Sequence, residues 1–166
     1  SDGNLYGTTR DGGSNNVGTI FRLSTSGSFT SLFSFSTTNG SAPQGGLSLG
    51  SDGNFYGTTA QGGSNFAGTV FRFSTNGALT TLVSFANSAN GFLSVPRAGL
   101  LAANDGNFYG CTPGAVFKVT PGGALTFLTS LLPLNGVHPH ANLLLGPDGN
   151  FYGTTREGGS NNVGAI

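Results

Sequence analysis

The chain of 166 residues carries six acidic side chains, two histidines and one cysteine with which to do acid–base, metal or nucleophilic chemistry. The histidines form one group, His138-Pro139-His140, and a His-x-His spacing can place two imidazoles on one metal ion. No Cys, Asp or Glu stands nearby in sequence to complete a ligand set, so the expectation is an exposed loop pair and no metal. Asp2, Asp52, Asp105 and Asp148 each open an Asp-Gly-Asn triplet, where Asp bonds its own backbone and Gly takes positive φ. Repeated Asp and Asn oxygens are also calcium ligands, but the dense carboxylates of a strong calcium loop are missing, and no cofactor is expected. Asp11 and Glu157 lie outside these turns, yet they are one position in two copies of a repeat, not a pair flanking a cleft as glycoside hydrolysis needs. There is no Gly-x-Ser-x-Gly elbow, and Gly12-Gly13 lacks the following Lys and helix of a phosphate loop. Cys111 occupies the repeat position of Thr8, Thr58 and Thr154 and reads as a small replacement for Thr. The catalytic inventory is therefore empty, and the chain is expected not to be an enzyme.

The elements that carry these residues are repeats. Aligned on Asp-Gly-Asn, the units run 2–51, 52–104 and 105–147, with a partial copy at 148–166, in a single tandem-repeat region spanning 1–166. Each unit holds four β-branched or aromatic runs bounded by turn residues. In the second unit they are Phe55 to Thr59, Gly68 to Ser74, Ala78 to Phe85, and Gly99 to Ala102 leading into the next turn. The third unit has lost its Gly-Gly-Ser-Asn loop, with Pro113 alone joining Thr112 to Gly114, so that loop is dispensable for the fold. Four short strands per unit match a propeller blade, whereas a β-helix coil is much shorter. The predicted fold is all-β: a β-propeller-like array of four-stranded antiparallel blades, about three and a third repeats, not closed by this chain alone. Blades pack face to face, so Leu143-Leu144-Leu145 and Phe127-Leu128 are expected to be covered on both faces.

The same alignment puts side chains in register. Pro43, Pro96 and Pro139 correspond, so His138 falls with Ala42 and Val95, and His140 with Gln44 and Arg97. Tyr6, Tyr56, Tyr109 and Tyr152 share a strand position that core packing explains, as do Phe21, Phe71 and Phe117, while Arg22, Arg72 and Lys118 form a basic series. Loops that vary on a constant scaffold are where binding resides, which makes Asn15, Asn16, Asn65 and Asn161 of the Gly-Gly-Ser-Asn loops the candidate ligand-binding residues. Asn39-Gly40-Ser41 matches a glycosylation sequon, as one triplet in an Asn-rich chain does by chance.

Composition narrows the partners. Charged residues make up 7% of the chain and the formal net charge is zero, so there is no electrostatic footprint for nucleic acid. Thirty glycines and few charges suit strands and tight turns and argue against long exposed helices. No apolar run approaches the roughly 18 residues of a membrane span. The absence of an initiator Met, and the near identity of residues 2–20 and 148–166, lead to the expectation of a processed chain or an internal segment.

The succession Asp-Gly-Asn-[Leu/Phe]-Tyr-Gly-Thr-Thr, Gly-Gly-Ser-Asn, Gly-Thr-[Ile/Val]-Phe-[Arg/Lys] and Leu-Thr-x-Leu-x-Ser-Phe resembles the bacterial GloVer tandem repeat over essentially the whole chain. That resemblance implies a propeller-like fold and an extracellular or cell-surface location, and it supplies no catalytic residues. The expected function is a non-enzymatic extracellular structural or adhesion module, a segment of a longer chain or a subunit of an oligomer or filament. Its expected partners are copies of itself or flanking repeats, and glycans. The alternative is a carbohydrate-binding propeller module that uses the Gly-Gly-Ser-Asn loops.

Overall fold

The computed structural model describes residues 2–86 and 94–166, and among them it contains thirteen strands and no helix. The first sheet is β1 (Leu5–Thr9), β2 (Thr19–Leu23) and β3 (Phe29–Ser34), in that order. The second is β4 (Ser48–Leu49), β5 (Phe55–Thr59), β6 (Thr69–Phe73) and β7 (Leu79–Ser84). The third repeats it with β8 (Leu101–Ala102), β9 (Phe108–Thr112), β10 (Ala115–Val119) and β11 (Leu125–Ser130). The last holds β12 (Leu144–Leu145) and β13 (Phe151–Tyr152). All pairings are antiparallel, and each complete sheet is one meandering blade with its two-residue strand at one edge.

The Asp-Gly-Asn turn behaves as its residue types dictate. Gly3, Gly53, Gly106 and Gly149 take φ between 72° and 81°, which costs glycine nothing. In each copy the Asn backbone N–H donates to Asp Oδ1 at 3.1 Å. The same carboxylate does a second job not evident from the turn pattern: its Oδ2 accepts the hydroxyl of the tyrosine four residues on, at 2.7–2.8 Å. Arg22, Arg72 and Lys118 lie directly across the ladder from Tyr6, Tyr56 and Tyr109, so the basic series flanks these pairs. Each aspartate is held below the ordinary carboxylate range. At Asp52 burial opposes ionisation, and the hydrogen bonds from Asn54 and Tyr56 outweigh it. At Asp105 the bonds from Asn107 and Tyr109 dominate. Burial and the Asp52 bond push the Tyr56 phenol up to about 12.

The glycine of the Phe-Tyr-Gly strand makes room for an aromatic ring. Gly57 faces Phe71 across the ladder, and a Cβ there would sit 2.6 Å from Phe71 Cζ; Gly7 under Phe21 and Gly110 under Phe117 repeat the arrangement. A bulge lies across from each of these phenylalanines: the extra residue is Leu32, Leu82 or Leu128 in the outer strand β3, β7 or β11, and it bends that strand there.

The core lies between blades. Ile20, Phe35, Phe71 and Phe73 fill the first seam, with Leu32, Phe33, Leu47 and Phe55 packed around them. Tyr56, Val70, Phe85, Leu100, Phe108, Phe117 and Val119 fill the second. Burying each large side chain contributes about 1.5–3 kcal/mol, so the seams hold the array together. Phe127, Leu128 and Leu144 depart from the expectation of cover on both faces and are exposed. The last blade contributes two short strands, and the outer strands that would cover Phe127 and Leu128 are not among the described residues.

Candidate functional site

Two kinds of loop share one end of the blades: the loop between the second and third strands, and the crossover from the outermost strand to the next inner strand. They are laced together. Each crossover residue before proline donates its N–H to the loop of its own blade: Ala42 to Val17 O at 2.9 Å, Val95 to Ala67 O at 2.8 Å and His138 to Pro113 O at 2.8 Å. Its carbonyl then accepts from the next blade, Ala42 O from Ala60 N at 3.1 Å and His138 O from Arg156 N at 3.2 Å. Backbone bridges Ser41–Gln61 and Val137–Glu157 add to the lacing. To make these bonds Ala42, Val95 and His138 adopt φ of 52°, 61° and 57°. For a β-branched residue such as Val95 that conformation is a genuine outlier, held by its surroundings.

The proline that follows directs the chain inward. After Pro43, Pro96 and Pro139 come Gln44, Arg97 and His140, and then the small residues that start the inner strands. Those starts touch one another: a Cβ on Gly45 would lie 2.1 Å from Gly99 N, and Gly99 N donates to Asn142 Oδ1 at 2.7 Å. Ser48 Oγ donates to Leu100 O, joining the inner strands of the second and third blades. The inner edges therefore converge on an axis, and Gln44, Arg97 and His140 stand at its mouth on three successive crossovers.

The electrostatics of this mouth are specific. Arg97 is half-buried, and its Nε is fully buried with no hydrogen-bond partner among the described residues. His140 is held below the ordinary imidazole value, first by burial and then by the positive fields of Arg97, Arg156 and His138, with Glu157 opposing. His138 Nδ1 lies 3.2 Å from Glu157 Oε2, and Arg156 Nε is 3.6 Å from Glu157 Oε1. A row of neutral and cationic donors, one imidazole held neutral at pH 7 and one carboxylate to the side suit an oxyanion and a general base. Among the described residues no group of three or more His, Cys, Asp or Glu is placed to hold a metal ion.

The residues singled out in the sequence fall as follows. Asn15 Nδ2 donates to Phe35 O at 2.8 Å, and Asn16, at φ 55°, accepts from Gly12 N at 3.2 Å, so both also shape their own loop. Asn65 and Asn161 are exposed in the second and last loops. Asp11 pairs with Arg10 at 3.6 Å on the first blade, whereas Glu157 belongs to the last. Cys111 is buried, and burial pushes its thiol up to about 12, which leaves it inert at neutral pH. The proximity of Glu157 to the histidines is new. Nineteen residues separate it from His138, and only the bridge between one crossover and the next blade brings them together.

Three solved structures share the architecture. A streptogramin B lyase matches at TM-score 0.55 and 19% identity, covering 89% of this chain and 53% of its own. A luciferin-regenerating enzyme matches at TM-score 0.59 and 15% identity, over 92% of this chain and 50% of its own. A protein assigned as a gluconolactonase matches at TM-score 0.56 and 16% identity, over 89% and 56%. The chain thus spans about half the length of the solved structures it matches. No curated protein sequence matches it. These findings correct the expectation of a non-enzymatic structural or adhesion module, or of a lectin-like one in its place. The architecture on which that expectation stood is shared with three proteins named as enzymes, at identities that establish the fold alone. The model of the Gloeobacter/Verrucomicrobia repeat matches residues 1–164, and the chain belongs to that bacterial tandem-repeat family.

Proposed function

We propose that this member of the Gloeobacter/Verrucomicrobia repeat family forms a catalytic small-molecule site at the crossover end of its propeller axis. The observation that carries the reading is the alignment of Gln44, Arg97 and His140 on successive crossovers, with Arg97 close enough to His140 to hold its ionisation down. His140, neutral at pH 7, takes a proton from water; the hydroxide adds to an ester or lactone carbonyl, and the oxyanion that forms is met by Arg97. The ring C–O bond then breaks, and the leaving alkoxide recovers the proton from His140, giving a hydroxy acid. Support comes from the charges at the mouth, and from the presence of a protein assigned as a gluconolactonase among the similar folds, whose name makes lactones the first compounds to try.

The test is base consumption in a pH-stat against a panel of aliphatic and sugar lactones. Turnover by the wild type is expected, with kcat lowered about 10²–10⁴-fold in His140→Ala and about 10²–10³-fold in Arg97→Gln. His140 is exposed, so the fold is expected to survive its replacement. No turnover of any lactone by the wild type, or full activity in His140→Ala, refutes the assignment.

A further inference from the structure

The loop of the second blade breaks the pattern of its sisters at one position. Asn16, Phe66 and Asn162 each follow a Gly-Gly-Ser-Asn stretch and take φ of 55°, 56° and 57°. The loop backbone is the same in all three: Asn16 N donates to Gly13 O at 3.2 Å, Phe66 N to Gly63 O at 3.2 Å and Asn162 N to Gly159 O at 3.1 Å. Asparagine tolerates this conformation. In both sister loops it also closes the loop, its Oδ1 accepting from Gly12 N or Gly158 N at 3.2 Å. Phenylalanine does neither. It is a bulky residue in the left-handed region, it has no side-chain acceptor, and 71% of its surface is exposed. The fold gains nothing from an apolar ring there, and strain of this kind gathers at ligand sites.

Beside the ring lies a pocket. A cavity of about 290 Å³ is lined by Phe66, Gln61 and Gly62 of the loop, by Thr37 and Ser41 of the first crossover and by Val95 of the second. Both crossovers are tied to this loop, through the Ser41–Gln61 bridge and through Val95 N donating to Ala67 O at 2.8 Å. The same two crossovers deliver Gln44 and Arg97 to the axial mouth. Arg97 is two residues from Val95 and Gln44 is three from Ser41, and such lengths of chain reach at most about 7 Å and 11 Å. The pocket therefore adjoins the mouth on the side of the second blade.

Its size and lining select what it can hold. A site for a whole drug-sized ligand occupies about 300–1,000 Å³, so this cavity suits one arm of a molecule anchored elsewhere. The exposed face of Phe66 is a stacking surface for a flat apolar ring, and Val95 adds an aliphatic wall. Among the described residues no other Gly-Gly-Ser-Asn loop carries an aromatic side chain at this position, so an arm is held on one side of the mouth.

We propose that this pocket is the specificity subsite of the axial site and receives an aryl arm of the lactone whose carbonyl is met by Arg97. The assignment of the carbonyl end rests on the lactone reading of the mouth, whereas the arm is argued from the pocket itself. The substrates of the site are then lactones with an aromatic substituent separated from the ring by a short spacer, long enough to cross from Arg97 to Val95.

Two pairs of compounds separate the pocket from the chemistry. γ-Butyrolactone and its γ-(2-phenylethyl) derivative report turnover in the pH-stat. The corresponding lactams, 2-pyrrolidinone and 5-(2-phenylethyl)-2-pyrrolidinone, resist hydrolysis and report binding by calorimetry. In the wild type the phenylethyl arm is expected to raise kcat/KM and to tighten lactam binding by about 10-fold or more. Phe66→Asn installs the residue of the sister loops, so the loop is expected to form and both ratios to fall to about one. Phe66→Tyr is expected to keep them, as is Phe29→Asn, which alters an exposed ring at the start of β3, away from the crossovers. Equal binding of the two lactams by the wild type, or an arm preference that survives Phe66→Asn, overturns the subsite whether or not any lactone is turned over. Arm-dependent lactam binding that Phe66→Asn abolishes, without turnover of either lactone, supports the subsite and counts against hydrolysis alone.

Discussion

Replacing the strand glycines by alanine tests the seam model, because one chemical change meets three different environments. At Gly57 the new methyl would lie 2.6 Å from Phe71 Cζ and 3.1 Å from Leu47 Cδ2. Phe71 has no exposed surface and is wedged at 5.2 Å against Phe35, so the ring has nowhere to go. At Gly110 the methyl would meet Phe117, also fully buried, at 2.6 Å and Leu100 at 2.9 Å. At Gly7 the ring is Phe21, half-exposed on the first blade and stacked at 5.1 Å on the exposed Phe29. None of the three glycines has positive φ, so alanine fits each backbone. Glycine-to-alanine changes at compatible positions stabilise by about 0.4–1 kcal/mol through the unfolded chain. Overpacking a buried site costs about 1–3 kcal/mol. The net expectation is a loss of about 1–2 kcal/mol for Gly57→Ala and Gly110→Ala, which lowers Tm by roughly 2–8 °C in a chain of this size. Gly7→Ala is expected to be neutral or to gain up to about 1 kcal/mol, since Phe21 can swing into solvent. Thermal and urea unfolding followed by circular dichroism decide the matter. Equal losses at all three positions would show that strand geometry, not the seam, sets the cost, and would refute the reasoning.

Two further outcomes follow from the same geometry. Asp2, Asp52, Asp105 and Asp148 all have native carboxyls held below their unfolded value, so their contribution is complete above about pH 4 and is lost as pH falls through the native range. Urea midpoints are expected to drop between pH 4 and pH 2, and the combined Asp52→Asn and Asp105→Asn variant to flatten that slope; an unchanged slope would remove the tyrosine–aspartate pairs from the account. Val95→Gly relieves a β-branched residue at φ 61° and is expected to raise Tm, against a strain of about 1–3 kcal/mol; an unchanged or lower Tm would show that the crossover is not strained.

Much of the fold is local and therefore legible in the sequence. Asp-Gly-Asn at four spacings announces the hairpin turns, and Pro43, Pro96 and Pro139 align the crossovers so that Gln44, Arg97 and His140 fall together before any coordinates are known. What sequence reasoning missed depends on a neighbouring blade. Glu157 reaches His138 only because a crossover hydrogen-bonds to the next blade's loop, and that pairing leaves no spacing signature. The tyrosine–aspartate bond was hidden for another reason: the turn already accounted for the aspartate, so nothing called for a second partner. Leu128 and Phe127 have the composition of covered strand residues, and their exposure reflects what stands beside them.

The tyrosine of each blade packs against the phenylalanine that opens the corresponding strand of the next, Tyr6 on Phe55 at 4.4 Å, Tyr56 on Phe108 at 3.9 Å and Tyr109 on Phe151 at 4.4 Å, and this one-way contact governs how such arrays change length. Both halves of a seam are encoded within one unit of roughly 50 residues, the tyrosine reading forward and the phenylalanine reading back. A unit copied whole and in frame carries a finished interface on each side, so insertion or loss of entire units leaves every remaining seam intact. A break inside a unit separates a blade from the strand that completes it. Gene duplication at the unit boundary is thus structurally neutral.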